Sequence, residues 1–177
     1  MIRRLQLGFT LAIVAVILIG CGGGVDDRAT TTPAPSSPVA QQKLSPGELG
    51  DQIGNLYVAA LKDVTEILKD RPEAPQVRAR VQELKETNVR KLVELGKLRE
   101  ALDASGRSTV DAAIRQKFDV VARESWYATY NSLQQYYLSR DQDFQKLVAS
   151  FNIITQYANF DLLKRQEPAE AKRLGID

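Results

Sequence analysis

The chain has no histidine among its 177 residues and a single cysteine, Cys21. These two scarcities exclude a good deal of chemistry. Zinc sites built from His and Cys, haem held through either residue, Ser-His-Asp catalysis and the Glu-x-x-His ligands of di-iron bundles all need side chains that are missing. One cysteine cannot close an internal disulfide. Carboxylates can hold a hard cation, yet no Asp-rich loop has the pattern of a calcium site. The nearest approach, Arg140-Asp141-Gln142-Asp143, reads as helix capping. No glycine-rich loop follows a strand-like run, which removes phosphate cradles. Catalysis would rest on Asp, Glu, Lys or Tyr unaided. The expectation is therefore a non-enzymatic protein with no catalytic residue, metal site or cofactor.

Long apolar runs are scarce as well. The one at the front extends from Leu5 to Ile19 and is broken by Gln6, Gly8 and Thr10. It falls short of the ~20 apolar residues that a spanning helix needs and has the length of a signal-peptide core. Arg3 and Arg4 precede it, and Leu18-Ile19-Gly20-Cys21 follows. That combination resembles the signal peptide and lipobox of bacterial lipoproteins, over the first 21 residues only. The resemblance implies that residues 1–20 are removed, that the Cys21 thiol receives a diacylglycerol, and that the new amino terminus is acylated. Several acyl chains on one residue suffice for stable membrane anchoring. Gly22, where an Asp would favour inner-membrane retention in that family, implies the periplasmic face of the outer membrane in a two-membrane organism.

Residues 22–44 are mostly Gly, Thr, Pro, Ser, Ala and Gln, with almost nothing to bury. Such a segment cannot offset the entropy of ordering, so 21–44 is expected to be a lipidated cysteine followed by a disordered linker. The linker would average roughly 25 Å end to end and reach roughly 75 Å when taut. Removing residues 1–20 takes away Arg3 and Arg4, lowering Lys plus Arg from 24 to 22 against 22 Asp plus Glu. The mature chain is formally neutral, and nothing in it directs it to nucleic acid.

From Ser45 onward the apolar period is about 3.6 and no strand-like alternation competes. Ser45-Pro46-Gly47-Glu48 has the form of a capping box, with Pro at the first helical position. Four helices are expected. The first extends to about Asp70, the second from about Pro75 to Ala104, and the third from about Thr109 to Leu138. The fourth follows a break at Ser139–Asp143 and carries Phe144, Leu147, Val148, Phe151, Ile154, Ala158 and Leu162 inward. Whether the last two helices are separate or one kinked helix stays open. Gly106 reads as a terminator, with Ser108 and Asp111 as the next cap pair. Gly50 and Gly96 fall level with each other and suggest a close approach of the first two helices. Asn88 and Lys91 interrupt the second helix's apolar seam and read as structural. Short loops between long helices give an all-α fold, an up-down-up-down antiparallel four-helix bundle over 45–165. Residues 166–177 read as a frayed tail with one short turn after Pro168.

What remains is aromatic. Ten of the twelve Phe, Trp and Tyr residues lie between Phe118 and Phe160. Aromatics at helical spacing are mostly core. Trp126, Tyr127, Tyr130, Tyr136 and Tyr137 cannot all face one way, because 127 sits about 100° round the helix from 126. Trp126 and Tyr137 are expected to pack inward, with Tyr127 and Tyr136 outward. A binding surface drawn from Trp126, Tyr127, Tyr130 and Tyr136 would suit a protein partner, a glycan or a lipophilic ligand, and an envelope protein is the expected one. The alternative is a carrier of an apolar ligand, held in an aromatic-lined pocket of the bundle beside Trp126.

Overall fold

A computed structural model describes residues 44–176. Cys21, the signal segment and all of the linker but Leu44 lie outside the described residues. Within them the fold is all-α, with no strand and a bundle-like packing of helices. The elements are α1 (Pro46–Leu68), α2 (Ala74–Glu100), α3 (Ala104–Val121), α4 (Ser125–Leu138), α5 (Gln142–Ala149), a 3₁₀ segment (Ser150–Ala158), α6 (Phe160–Gln166) and α7 (Pro168–Arg173). The described residues thus hold seven α-helices rather than four. None is long and apolar enough to cross a membrane.

The start of α1 follows the sequence closely. The Glu48 amide donates to Ser45 Oγ at 3.3 Å, and the Ser45 amide donates back to Glu48 Oε2 at 2.8 Å. The Ser45 hydroxyl, which donates to the same Oε2 at 2.7 Å, and then the Ser45 amide hold the Glu48 carboxyl below the usual carboxylate range. Two orphan amides are satisfied reciprocally. Beyond the cap, Leu49, Ile53, Ala60, Leu61, Val64 and Leu68 form one buried stripe.

The next boundary differs from expectation. Asp103, not Ser108, caps α3, and its Oδ1 accepts from the Gly106 amide at 2.7 Å. Gly106 therefore lies in the first turn of a helix instead of ending one. A capping carboxylate satisfies the orphan amide there, so the glycine is no signal to stop.

The expected third helix is two. Val110, Ile114 and Val121 are buried in α3, and Tyr130, Leu133 and Tyr137 in α4. In one unbroken α-helix, Tyr130 would point about 180° away from Val121, nine residues earlier. No single helix buries both stripes, so the chain breaks and resets its phase. At the break the amides of Arg123 and Glu124 turn back to the carbonyls of Val120 and Val121, at 3.1 and 3.0 Å. The expected fourth helix is likewise divided into α5, the 3₁₀ segment and α6. Asp141 starts it as a cap, accepting from the Phe144 amide at 2.8 Å, and Arg78 also donates to Asp141 at 2.6 Å.

Contacts give the directions. Along α1, Gly54 faces Lys117, the Tyr57 ring meets Phe118 at 4.7 Å, and the Lys62 ammonium lies 5.4 Å from the Trp126 ring. The numbers rise together, so α1 runs parallel to α3 and α4. α4 and α5 are antiparallel, pairing Tyr137 with Phe144 at 4.8 Å and the Tyr130 hydroxyl with the Val148 carbonyl at 2.7 Å. Arg78 beside Asp141 and Gly96 beside Ala158 set α2 parallel to the segment from α5 to α6.

Gly50 and Gly96 do not meet. Each admits a different neighbour. A Cβ on Gly50 would stand 2.7 Å from both the Cβ of Ala113 and the carbonyl oxygen of Val110, while one on Gly96 would stand 2.5 Å from the Phe160 ring. The obstacle at Gly50 includes backbone, and at Gly54 it is the base of the Lys117 side chain, its Cβ and Cγ. Gly50→Ala is therefore expected to lose about 1–2 kcal/mol, overpacking outweighing the ~1 kcal/mol gain in helix propensity. Gly54→Ala should also lose stability, but less, because a side chain can shift where backbone cannot. Urea unfolding of both variants checks this, and the reverse order would overturn the account.

The tail is not frayed. Ile176 is buried, Arg173 reaches Glu86 of α2 at 3.2 Å, and Gly175 adopts φ 68°. The Ile176 amide donates to Ala171 O at 3.0 Å and the Gly175 amide to Lys172 O at 3.1 Å. This is a Schellman closure, with its apolar residue packed down onto the helix it ends.

Candidate functional site

Helix α4 carries five of the aromatic rings, and its break from α3 decides how they are distributed. Tyr130 and Tyr137 are buried, at 0% and 1% exposure. Tyr130 was expected on a binding surface. It is instead a core residue, its hydroxyl donating to the Val148 carbonyl. A ring at that phase of α4 faces α5, and the Val148 carbonyl accounts for its polar end. Tyr137 goes inward as expected and donates to the Pro72 carbonyl at 2.7 Å, tying α4 to the α1–α2 turn. In that turn Arg71 holds the left-handed φ of 53°.

Trp126, Tyr127 and Tyr136 are half-buried. The Tyr127 ring stacks on Tyr130 at 5.8 Å, with planes 22° apart, and its hydroxyl donates to Asn152 Oδ1 at 3.3 Å. It is less free than an outward residue would be. Trp126 stands edge-on to Tyr127 at 6.0 Å. Tyr136 packs edge-on against Tyr137 at 5.0 Å, with the guanidinium carbons of Arg140 and Arg71 at 3.8 and 5.2 Å from its ring. Three partly exposed rings thus each keep one face on the core. Lys62, Arg71 and Arg140 supply cation–π contacts to two of them, Trp126 and Tyr136.

The phenols are proton donors at neutral pH. Burial, followed by the Tyr127 hydroxyl beside it, pushes the Tyr57 hydroxyl up to about 12. Burial also raises Tyr130, Tyr137 and Tyr157 above the ordinary tyrosine value. Such groups give hydrogen bonds and do not supply a phenolate nucleophile or base.

Among the described residues, no three His, Cys, Asp or Glu side chains gather in a way that could hold a metal ion. Asp141 of the Arg140–Asp143 stretch is engaged in capping and in its pair with Arg78. Asn88 is buried, its amide donating to the Leu84 carbonyl at 2.9 Å. Lys91, expected in the same seam, is exposed and borders an open cleft of about 550 Å³ between α1 and α2.

Sequence reasoning missed Arg99. It is 5% exposed and holds Asp111 through Nε and Nη2, with Glu100 at 3.1 Å on its other side. The signal was available: position 99 continues the inward stripe of Leu92 and Gly96, so a charge falls where the pattern calls for an apolar residue. Compared with known protein families, curated proteins and solved structures, the chain has no match.

Proposed function

We propose that the chain is a lipid-anchored cell-envelope protein whose helical domain binds or scaffolds another envelope component without catalysing a reaction. In this reading Cys21 carries the lipid at the outer membrane's periplasmic face, and the residues up to 44 let the domain stand off the surface. The interrupted helices follow the four legs of an up-down-up-down bundle: α1, α2, α3 with α4, and α5 through α6. The parallel run of α1 with α3 and of α2 with the last leg supports that description.

The observation that carries the binding role is the division of the α4 rings. Tyr130 and Tyr137 fill the core, while Trp126, Tyr127 and Tyr136 stay half-buried. Partly exposed aromatics and arginines held in place by neighbours are what a protein partner's anchors need. The carrier alternative calls for an aromatic-lined pocket beside Trp126. The cleft of about 240 Å³ there has no ring but Trp126 itself, with Lys62, Lys117 and Glu124 in its wall, and the other rings lie against one another. Their centroid separations, 4.8 Å for Tyr137–Phe144 and 5.8 Å for Tyr127–Tyr130, are contact distances and favour the partner reading.

Two variants of the full-length protein test it. Cys21→Ser should abolish lipid labelling and release the protein from membranes, and continued labelling would end the anchor hypothesis. Tyr136→Ala should weaken recovery of the cross-linked envelope partner by about tenfold, ~1.4 kcal/mol, in a domain that stays folded at the temperature of the assay. Unchanged recovery would remove Tyr136 from the interface.

A further inference from the structure

A second cleft plays no part in that reading. It lies where α3, the end of α2, the 3₁₀ segment and the start of α6 come together, and its volume is about 240 Å³. That is the space of about eight water molecules, the size of an amino acid. Asp111, Ile114, Arg115 and Phe118 of α3 line one side, and Thr155 and Gln156 of the 3₁₀ segment the other.

The charges in it are unusually arranged. Asp111 and Arg115 are four residues apart on one helix, the spacing at which opposite charges normally pair. Here Arg99 takes the carboxylate: its Nη2 lies 3.1 Å from each Asp111 oxygen and its Nε 3.2 Å from Oδ1. The Arg115 guanidinium is left with no ion pair and the Thr155 hydroxyl with no hydrogen bond among the described residues. An ionised carboxylate has about four lone-pair positions, so Asp111, its side chain 34% exposed, keeps acceptor capacity. Gln156 is 5% exposed and its Nε2 donates to Glu167 at 2.8 Å, yet its Oε1 is buried and accepts from no donor among the described residues. A buried acceptor in that condition is costly. The cleft thus has a free cation and a partly exposed carboxylate on its α3 side, and the Thr155 hydroxyl across from them. Ile114 and Phe118, four apart on the same helix, form an apolar wall beside them.

We propose that this cleft binds a small zwitterion with an apolar side chain, an apolar α-amino acid. Its carboxylate bridges Arg115 and Thr155, its ammonium donates to Asp111, and its side chain lies on Ile114 and Phe118. The proposal needs neither the lipid nor a protein partner, so it stands or falls separately from both.

The test is calorimetric titration of the full-length protein in detergent with L-leucine, with 4-methylpentanoate, which lacks the ammonium, and with isoamylamine, which lacks the carboxylate. Leucine should saturate at one site with a Kd on the order of 1 mM or tighter, and each truncated analogue should bind at least about tenfold more weakly. Arg115 is exposed, so Arg115→Gln should fold normally, weaken leucine about tenfold and leave isoamylamine unchanged. Thr155→Val provides a second reading of the carboxylate side, with a smaller loss in the same direction. Absence of saturation by about 10 mM leucine would overturn the proposal. So would equal binding of leucine and 4-methylpentanoate, or wild-type leucine affinity in Arg115→Gln.

Discussion

Tyr130→Ala is expected to cost about 3–5 kcal/mol, a large part of the ~5–15 kcal/mol that holds a domain of this size together. The ring is wholly buried and stacked on Tyr127, and its hydroxyl occupies a backbone carbonyl of α5. Removing it opens a cavity between α4 and α5 and strands Tyr127 without its stacking partner. Tyr130→Phe isolates the hydrogen bond and should cost only about 1 kcal/mol. Tyr136→Ala forfeits a half-buried ring and two cation–π contacts, each worth ~0.5–1 kcal/mol at exposed sites, so its loss should be well below that of Tyr130→Ala. Tyr127→Ala belongs between them, because its ring is stacked and its hydroxyl engaged. Urea midpoints of the four variants give the order directly. A Tyr130→Ala loss no larger than that of Tyr136→Ala would contradict the placement of α4.

Raising the pH should unfold the domain through the same residues. A tyrosine is charged in its deprotonated form, and burial in the fold favours the neutral one. The folded state therefore keeps protons that the unfolded chain releases, and stability falls as pH rises. For Tyr57 the fall begins near the ordinary tyrosine value of 10.0 and continues to about 12. At ~1.36 kcal/mol per unit this one residue removes about 2–3 kcal/mol. Tyr130, Tyr137 and Tyr157 are shifted in the same direction and add to it. On the acid side, bonds from Phe144 and Arg78 hold Asp141 low, and bonds from Arg173 hold Glu170 low. Their contributions are present above the ordinary carboxylate range and fade as pH falls below it. Residues 44–176 contain neither His nor Cys, so stability should be level between about pH 6 and 9. Urea midpoints across that range and up to about pH 12, read beside phenolate absorbance, check the profile. An unchanged midpoint at about pH 11 would show that the buried phenols do not govern it.

Helix positions were readable where the signal is local. The Ser45–Glu48 box, the Asp141 cap and the turn after Leu68 depend on residues within three or four of one another, and they appear as expected. The break between α3 and α4 was also written in the sequence, but in phase and not in composition. No Gly or Pro lies between Val120 and Trp126. Only the angle between the Val110–Ile114–Val121 stripe and the Tyr130–Tyr137 stripe shows that one helix cannot serve both. The partners of Gly50 and Gly96 were not readable, since a glycine permits close approach without naming what approaches. The amino-acid-sized cleft was hidden for a related reason. Arg99, Asp111 and Gln156 lie far apart in the chain, and only the packing of α2, α3 and the 3₁₀ segment brings them together.

The 3₁₀ segment itself departs from the expected pattern in an informative way. A period of 3.6 placed Phe151, Ile154 and Ala158 inward, and the structure also buries Tyr157. Phe151, Ile154 and Tyr157 recur every three residues, and a helix of three residues per turn lines them up on one edge. A 3₁₀ helix rises about 2.0 Å per residue against about 1.5 Å for an α-helix. Nine residues wound this way cover about 18 Å, a span for which an α-helix would need about twelve. This stretch of chain therefore trades hydrogen-bond quality for reach, going as far along the domain as its neighbours on about three fewer residues.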